Sequence, residues 1–491
     1  MSGLDARAAA DLAGAYGTPL NVIDEDVIRA GVRDFQRSFE AHWTGPARVL
    51  PAIKASTVME VLRIVAGEVE GCDLFSEGEL EAAISAGFDP RQMSLNGNGK
   101  LADPDFLARA VRLGVRITID DLGEVPAIEQ AAADAGVVAE VRLRMRPSLA
   151  NYWRPSQFLS PGVPTHLASQ AYKAGMPLAD LLVAGTRINR SPHLELTGLH
   201  MHLGRHRADG RFWEAAMQAT AEIVRRCLAE WPGWQPRELD IGGGFAGPGD
   251  AVGSEPSMLG EAIALGALSW LPRPAAGVRD RLVGSVLAAM RRPAHEAGHG
   301  GGTRAVAPRT EDYARLVCRG LQRELGGVLD LREVTLEVEP GRAIFTGAGS
   351  HLTRVLGVKR QREPVPWTWV LTDTSTAFLL DGLSEYVRYP AAVPAREPTA
   401  SRMVADLVGM SCTADRIIAD LDLPAEVAVG DLVVIAGTGA YNEMGASNFN
   451  SLPRPATVIV GADGHRLARR RETISDVFAR DVGTGPGSDR R

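Results

Sequence analysis

Between residues 47 and 342 the chain carries eight short runs rich in β-branched and apolar residues, with helical patterning between them. This alternation constrains the fold more than any other feature of the sequence. The runs are ARVLPAIKA (47–55), GCDLFS (71–76), QMSLNGN (92–98), VRITIDD (115–121), VVAEVRLRMRP (137–147), LELTGLHMHLG (194–204), RELDIGGGF (237–245) and REVTLEVEPGR (332–342). VMEVLRIVAGEVE and GELEAAISAGF, which separate the first three, space their apolar residues three and four apart, as one face of a helix requires. Strands alternating with helices predict a parallel sheet, and eight such strands close a (β/α)8 barrel. Polar, reactive side chains fall at the C-terminal ends of the runs: Lys54, Ser76, Asn98, Asp120, His202, Gly242 to Gly244 and Glu339. In a closed barrel those ends form one rim, where barrel enzymes keep their chemistry.

Beyond residue 345 the pattern changes to short strand-like segments, such as WTWVLTD, DLVVIAG and ATVIVG, punctuated by Gly, Pro and Asp. An all-β domain is expected there, joined by the early strand TPLNVID (18–24). The predicted architecture is thus α/β plus all-β: a barrel over 25–345, and a β-sandwich or β-barrel domain made of 1–24 and 346–480. Residues 246–308 are too long for an ordinary connection. They are expected to form a surface insertion, with an active-site lid or dimer element as the alternative. The tail 481–491 is expected to be disordered.

A net charge of −7 argues against nucleic acid or an anionic membrane as the partner. No apolar run approaches the roughly 20 residues that cross a bilayer, and the N-terminus lacks the apolar core of a secretory signal. The four cysteines (Cys72, Cys227, Cys318, Cys412) lack metal-ligand spacing and read as reduced thiols of a cytoplasmic protein.

Each rim residue has an ordinary explanation when taken alone. Lys54 in PAIKAS could be a rim lysine in a salt bridge, but an imine to an aldehyde cofactor also justifies a lysine at a buried strand end. His202 shares one side of its strand with His200; it could be a satisfied core histidine, or stack on a pyridine ring or move a proton. Gly242, Gly243 and Gly244 could make a tight turn or offer N–H groups to a phosphate. Glu339 and Arg342 in EPGR could be a structural ion pair. Equally, the carboxylate could meet a protonated pyridine nitrogen and the guanidinium a phosphate or carboxylate.

The stretches PAIKAS, SEGEL, GLHMHLG, LDIGGGF, EPGR, GMSCTADR and GAYNEMGASNFNSLPRP, with the opening YGTPLNVIDEDVIRAG, occur in the order of the motifs of the diaminopimelate, ornithine and arginine decarboxylases. The chain resembles this two-domain pyridoxal-phosphate family, which shares its barrel with the alanine racemases, and is closest in motifs to the diaminopimelate decarboxylases. The resemblance implies that Lys54 carries pyridoxal 5'-phosphate, His202 stacks on its ring, and Glu339 holds the ring nitrogen protonated. It further implies that Gly243, Gly244 and Tyr441 bind the phosphate, and that Arg342 anchors phosphate or substrate carboxylate. Cys412 resembles the family's cysteine that enters the neighbouring subunit's site and protonates the carbanion, which implies a homodimer with shared sites. A protonated pyridine is an electron sink for the carbanion left when CO2 departs. Glu339 favours that protonation, whereas the racemases place an arginine there.

Three departures concern the substrate. Thr413 stands where the family has an acidic residue that holds a distal amino group. In DTSTAFLLDGLSEY the family's arginine is replaced by Asp381, with Tyr386 near the family's tyrosine. Arg205 stands in place of the phosphate-binding serine, and Arg205 and Arg207 could read an acidic group or form a solvated loop. The expected function is decarboxylation of an amino acid or conjugate other than a simple basic diamino acid. The alternatives are diaminopimelate decarboxylation, a pyridoxal-phosphate racemase or epimerase, and a cofactor-binding regulator without enzyme activity.

Overall fold

The computed structural model describes residues 4–152, 165–204, 207–247, 307–362, 366–380, 389–396 and 401–482. Most of the expected insertion and the tail therefore lie outside the described residues, as do Arg205, Asp381 and Tyr386. The chain forms two compact units. One begins with helix α1 (Ala6–Tyr16) and strand β1 (Leu20–Asp24), is left by the chain at Glu25, and resumes at Gly349. The other holds the described residues between Glu25 and Ala348.

The second unit opens with α2 (Glu25–His42) and contains strands β2 (Ala47–Val49), β3 (Asp73–Leu74), β4 (Ser94–Leu95), β5 (Arg116–Ile119), β6 (Ala139–Arg144), β7 (Leu194–His200), β8 (Glu238–Asp240) and β9 (Thr335–Val338). All pair in parallel in the order β2-β9-β8-β7-β6-β5-β4-β3. The parallel bridge Ala52↔Asp73 joins the two ends of that order, so the eight expected strands close into the barrel. The strands proper are shorter than the sequence runs, because each run continues into the loop that carries its functional residue.

The helices have local causes. In α2, Ile28, Val32, Phe35 and Phe39 are buried at helical spacing, and Glu25 and Asp26 in the first turn complement the helix dipole. Helix α3 (Glu77–Ala86) is capped by Ser76, whose side chain accepts from the Glu79 N–H. An aromatic cluster seals the helix layer near the seventh strand. The Trp213 ring of α4 (Gly210–Glu230) stacks on Phe245 at 4.7 Å, and Phe35, Phe39 and Tyr313 meet Phe245 edge-on.

The barrel's interior is charged. Arg116 donates to Glu238 at 2.6 Å and to Glu337 at 3.0 Å, while Arg142 donates to Asp240 at 2.7 Å and Glu337 at 2.6 Å. Three buried carboxyl groups thus face two guanidiniums, a desolvated arrangement that favours holding protons on the carboxyls least tied to a cation.

In the first unit β1 pairs antiparallel with β10 (Gly349–Gln361) and parallel with β16 (Ala456–Gly461). β10 continues to β11 (Trp367–Thr372), β13 (Arg402–Val408) and β14 (Arg416–Pro424), while β17 (Gly464–Arg469) borders β16; β15 (Leu432–Ala436) lies against β10 and β12 (Ala391–Ala392). Ala9, Leu12 and Ala13 of α1 pack on Leu20, Val22, Leu352 and Val458, and a larger cluster gathers Val355, Val370, Leu407, Ile418, Val433 and Ile435.

Candidate active site

Lys54 lies in the single 3-10 turn Ile53–Ala55 beyond β2. Its Nζ donates to Asp73 Oδ2 at 2.6 Å and sits 4.2 Å from the centre of the Phe75 ring. Asp73 is fully buried on β3, and its second oxygen accepts from Asn96 Nδ2 at 2.6 Å. The same Asn96 Nδ2 reaches Glu339 Oε1 at 2.6 Å. A continuous chain Lys54–Asp73–Asn96–Glu339 therefore crosses the barrel end from the first strand to the last.

Glu339 follows β9, which places it above the ion network. Its second oxygen is 3.3 Å from His200 Nε2, and the Asp240 carboxyl lies close to both, with side-chain N and O atoms of the three residues within 4.8 Å of one another. Burial first, and the charge of Asp73 second, push the Glu339 carboxyl up to about 7. Asp240 is likewise pushed up to about 7, by burial and then by Glu339. His200 is driven down to about 3, chiefly by burial, with Arg144 and Arg142 adding to the effect against the opposing pull of Asp240. His200 is therefore neutral near pH 7, and its Nε2–H is the group available to donate to Glu339.

His202 stands two residues beyond the end of β7. Its Nδ1 accepts the Gly243 N–H at 3.1 Å, so the neutral ring carries its proton on Nε2. Burial, followed by the positive charges of Arg144 and Lys54, holds it well below the ordinary histidine range. The glycine turn is built by close approach. Gly242 has φ +65° and Gly244 φ +96°, and a Cβ on Gly243 would lie 2.4 Å from the Glu339 carbonyl oxygen. Two of its N–H groups are already used, Gly242 on Asp240 Oδ1 at 2.7 Å and Gly243 on His202.

Arg342 is buried at the start of the short helix Arg342–Phe345. Arg207 is buried rather than solvated: its N–H donates to the Gly244 carbonyl at 2.8 Å and its guanidinium lies 4.5 Å from the Phe212 ring.

Three of the expected site residues are in the β unit. Cys412 is exposed, and its N–H donates to Asn450 Oδ1 at 2.8 Å. Thr413 is exposed next to it, with Oγ1 3.0 Å from Ser411 Oγ and accepting the Asp415 N–H at 3.1 Å. Asp415 is buried and accepts from Thr376 N at 2.6 Å and Ser411 N at 2.7 Å, so the nearest carboxylate after Cys412 anchors the loop from inside. Tyr441 is half-buried with φ +61°.

Asp73, Asn96 and Asp240 were not expected in the site. Each sits in one of the eight runs at the parity that faces the barrel's interior, and a polar residue at such a position is the signal that would have found them.

A parallel barrel with a lysine, a buried carboxyl group and a glycine turn at one end defines the class of barrel enzymes that carry a pyridoxal cofactor. Residues 25–268 match the family described as pyridoxal-dependent decarboxylase, pyridoxal binding domain. The diaminopimelate decarboxylase of Actinosynnema pretiosum subsp. auranticum is 31% identical over 487 residues, covering 96% of this chain and 91% of that protein. That of Mycobacterium tuberculosis is 28% identical over 492 residues, covering 96% and 92%. The crystal structure of diaminopimelate decarboxylase from M. jannaschi has the same fold, with a TM-score of 0.75 at 21% identity over 97% of this chain and 94% of that one. The chain belongs to the pyridoxal-dependent decarboxylases; it is a carboxy-lyase that uses pyridoxal phosphate.

The residues present fit that cofactor. Buried Asn96 Oδ1 and His200 Nδ1 have no hydrogen-bond partner among the described residues, beside a half-exposed lysine and a glycine turn with no room for a side chain. Among the described residues no helix is long and apolar enough to cross a membrane.

Proposed function

We propose that this enzyme removes the α-carboxylate of an amino acid or amino-acid conjugate whose distal end is not a simple ammonium group, with the cofactor on Lys54. The observation that carries the assignment is the Lys54–Asp73–Asn96–Glu339 chain, which links an amine to a buried carboxyl group through hydrogen bonds of 2.6 Å. When bound, pyridoxal phosphate supplies a carbonyl for the amine and a ring that accepts electrons. Asp73 orients the Lys54 amine. Glu339 offers a carboxylate to a protonated ring nitrogen, and His202, neutral and clamped by the Gly243 N–H, presents a flat apolar face for stacking. Gly244, Arg342 and Tyr441 bind the phosphate beside Gly243, whose N–H stays on His202 and whose missing side chain leaves room for it, with Arg342 also able to hold a substrate carboxylate.

Cys412 would be the group that holds the proton for the substrate carbon in the site of a partner subunit, which makes the protein a homodimer; it works in the cytoplasm. Thr413 supports the restriction on substrate: it has a hydroxyl where a distal ammonium would need a carboxylate, and Asp415 is turned inward. Diaminopimelate is the second candidate, favoured by relatives of that activity at 28–31% identity along nearly the whole chain.

Borohydride reduction of the reconstituted protein followed by peptide mapping tests the first reading, and a label on a lysine other than Lys54 refutes it. CO2 release across a panel of L- and D-amino acids tests the second.

A further inference from the structure

Asn96 takes no part in the chemistry above. It follows β4 and is buried. Its Nδ2 donates to Asp73 Oδ1 and to Glu339 Oε1, both at 2.6 Å, so both amide hydrogens are spent on carboxyl groups. Its Oδ1, also buried, has no hydrogen-bond partner among the described residues. An unpaired buried oxygen is costly, yet turning the amide over would aim that oxygen at two acceptors. The amide therefore stands in the orientation that two ionised acids require.

The two acids are held alike. Each gives one oxygen to Asn96 and the other to a donor of its own: Asp73 Oδ2 to the Lys54 amine at 2.6 Å, Glu339 Oε2 to His200 Nε2 at 3.3 Å. They differ in charge. Asp73 has a cation against it, whereas Asn96 and His200, which donate to Glu339, are neutral. Of the other charged groups around Glu339, Arg142 at 4.0 Å and Lys54 favour its ionised form, Asp73 opposes it, and the Asp240 carboxyl stands within 4.8 Å. A hydrogen bond donated to a carboxylate favours ionisation. Glu339 is thus the acid that depends more on the Asn96 amide.

We infer that Asn96 is a positioning residue that donates to Asp73 and Glu339 at once and keeps the two acids ionised side by side, each free for its own nitrogen: Asp73 for that of Lys54, Glu339 for that of the cofactor ring. The inference rests on the assignment of Glu339 to the ring nitrogen. Without the two amide hydrogens, a pair of buried carboxylates would face each other with no donor between them, and Glu339 relieves the repulsion by holding a proton. The proton between Glu339 and the ring then sits on the acid, and the ring loses its charge.

The test uses the full-length holoenzyme at about pH 8, where the Glu339 carboxyl, pushed up to about 7, is ionised in the wild type. Infrared difference spectra count protonated carboxyl groups, and nitrogen-15 NMR of pyridoxal phosphate labelled at the ring nitrogen reports the ring's proton. Asn96→Leu keeps the branched shape of the amide and removes both donors. It is expected to show one protonated carboxyl more than wild type, to lose that band when Glu339→Gln is added, and to move the ring signal toward the unprotonated position. Cofactor binding should weaken about tenfold, the size of one charge-assisted hydrogen bond. Asn96→Ser has one hydroxyl proton for two acids and is expected to show the same extra band, so the test stands even if Asn96→Leu does not fold. Wild-type carboxyl and ring signals in either folded variant overturn the inference, because shape alone would then account for Asn96. An extra band that survives Glu339→Gln overturns it as well. A wild type that takes up no cofactor on Lys54 defeats the underlying assignment, and the carboxyl count on the same protein still decides whether Asn96 keeps both acids ionised.

Discussion

The Nζ of Lys54 lies 2.6 Å from Asp73 Oδ2, and that aspartate is completely enclosed between β3 and the barrel interior. A buried carboxylate paired with a half-exposed amine fixes the amine's position more than it stabilises the fold, because desolvating the acid offsets much of the attraction. Asp73→Ala should therefore weaken cofactor retention by about ten- to a hundredfold, the loss expected for one charge-assisted hydrogen bond of ~1.5–3 kcal/mol. Dialysis against cofactor-free buffer, followed by absorbance of the retained chromophore, measures it. Retention equal to wild type would remove Asp73 from the site.

Gly243 offers a second handle on the cofactor. A methyl group there would come within 2.4 Å of the Glu339 carbonyl oxygen, a backbone atom that cannot swing aside. Gly243→Ala should push the turn away from Glu339 and break the N–H bond to His202, at a cost of about 1–3 kcal/mol as for other overpacked sites. The expected result is a clear fall in cofactor affinity with far-ultraviolet circular dichroism unchanged. Unaltered affinity would show that the turn has slack.

Much of this site is legible in the sequence because barrel strands deliver their last residues to one rim: Lys54, His202, Gly243 and Glu339 end separate runs and converge in space. Asp73, Asn96 and Asp240 are harder to find. They lie two to five residues before the ends of their runs, where a polar side chain is easily taken for a structural group, and only the closed ring shows that they face one another. The bond from Gly243 N–H to His202 is invisible for a further reason: it joins backbone in one run to a side chain 41 positions earlier. In the β unit, the inward turn of Asp415 depends on Thr376 and Ser375, which come from a distant strand end.

Burial of neutral histidines should make stability depend on pH. His351 is enclosed in the β unit, with Nδ1 2.7 Å from Asn21 Oδ1 and Nε2 2.7 Å from Thr374 Oγ1, and burial depresses it from 6.5 to about 4. Above 6.5 neither the folded nor the unfolded chain protonates this ring, so the neutral ring's contribution is complete. Between 6.5 and about 4 only the unfolded chain takes the proton, and stability falls by up to about 3 kcal/mol before levelling off. Thermal melts from pH 7.5 to 4.5 should fall less steeply for His351→Gln than for wild type, although the variant starts lower. Parallel slopes would mean that His351 is not a source of the linkage.

Shared sites predict complementation. A Lys54→Ala chain and a Cys412→Ala chain should each be nearly inactive, yet a refolded mixture should recover roughly a quarter of wild-type activity. Random pairing about a two-fold axis makes half the dimers hybrids, each with one intact site. Size-exclusion chromatography of differently tagged chains verifies that hybrids form. No recovery in verified hybrids, or full activity in a monomer, would rule out the shared site.

The sharpest prediction concerns Thr413. It is exposed beside Cys412 and its hydroxyl is already engaged with Ser411 and the Asp415 N–H, so it has neither the charge nor the freedom to capture an ammonium. Asp415 cannot substitute, because hydrogen bonds from Thr376 and Ser411 outweigh the effect of burial and hold it ionised below the usual carboxylate range, facing inward. Wild-type kcat/KM should accordingly favour neutral or acidic amino acids, or larger conjugates, over diaminopimelate, lysine and ornithine. Thr413→Glu should raise kcat/KM for the amines by about tenfold or more, the equivalent of one charge-assisted hydrogen bond, while leaving neutral substrates nearly unaffected. A wild-type preference for diaminopimelate would establish that substrate instead. A Thr413→Glu enzyme with no gain on amines would place the determinant of selectivity elsewhere in the chain.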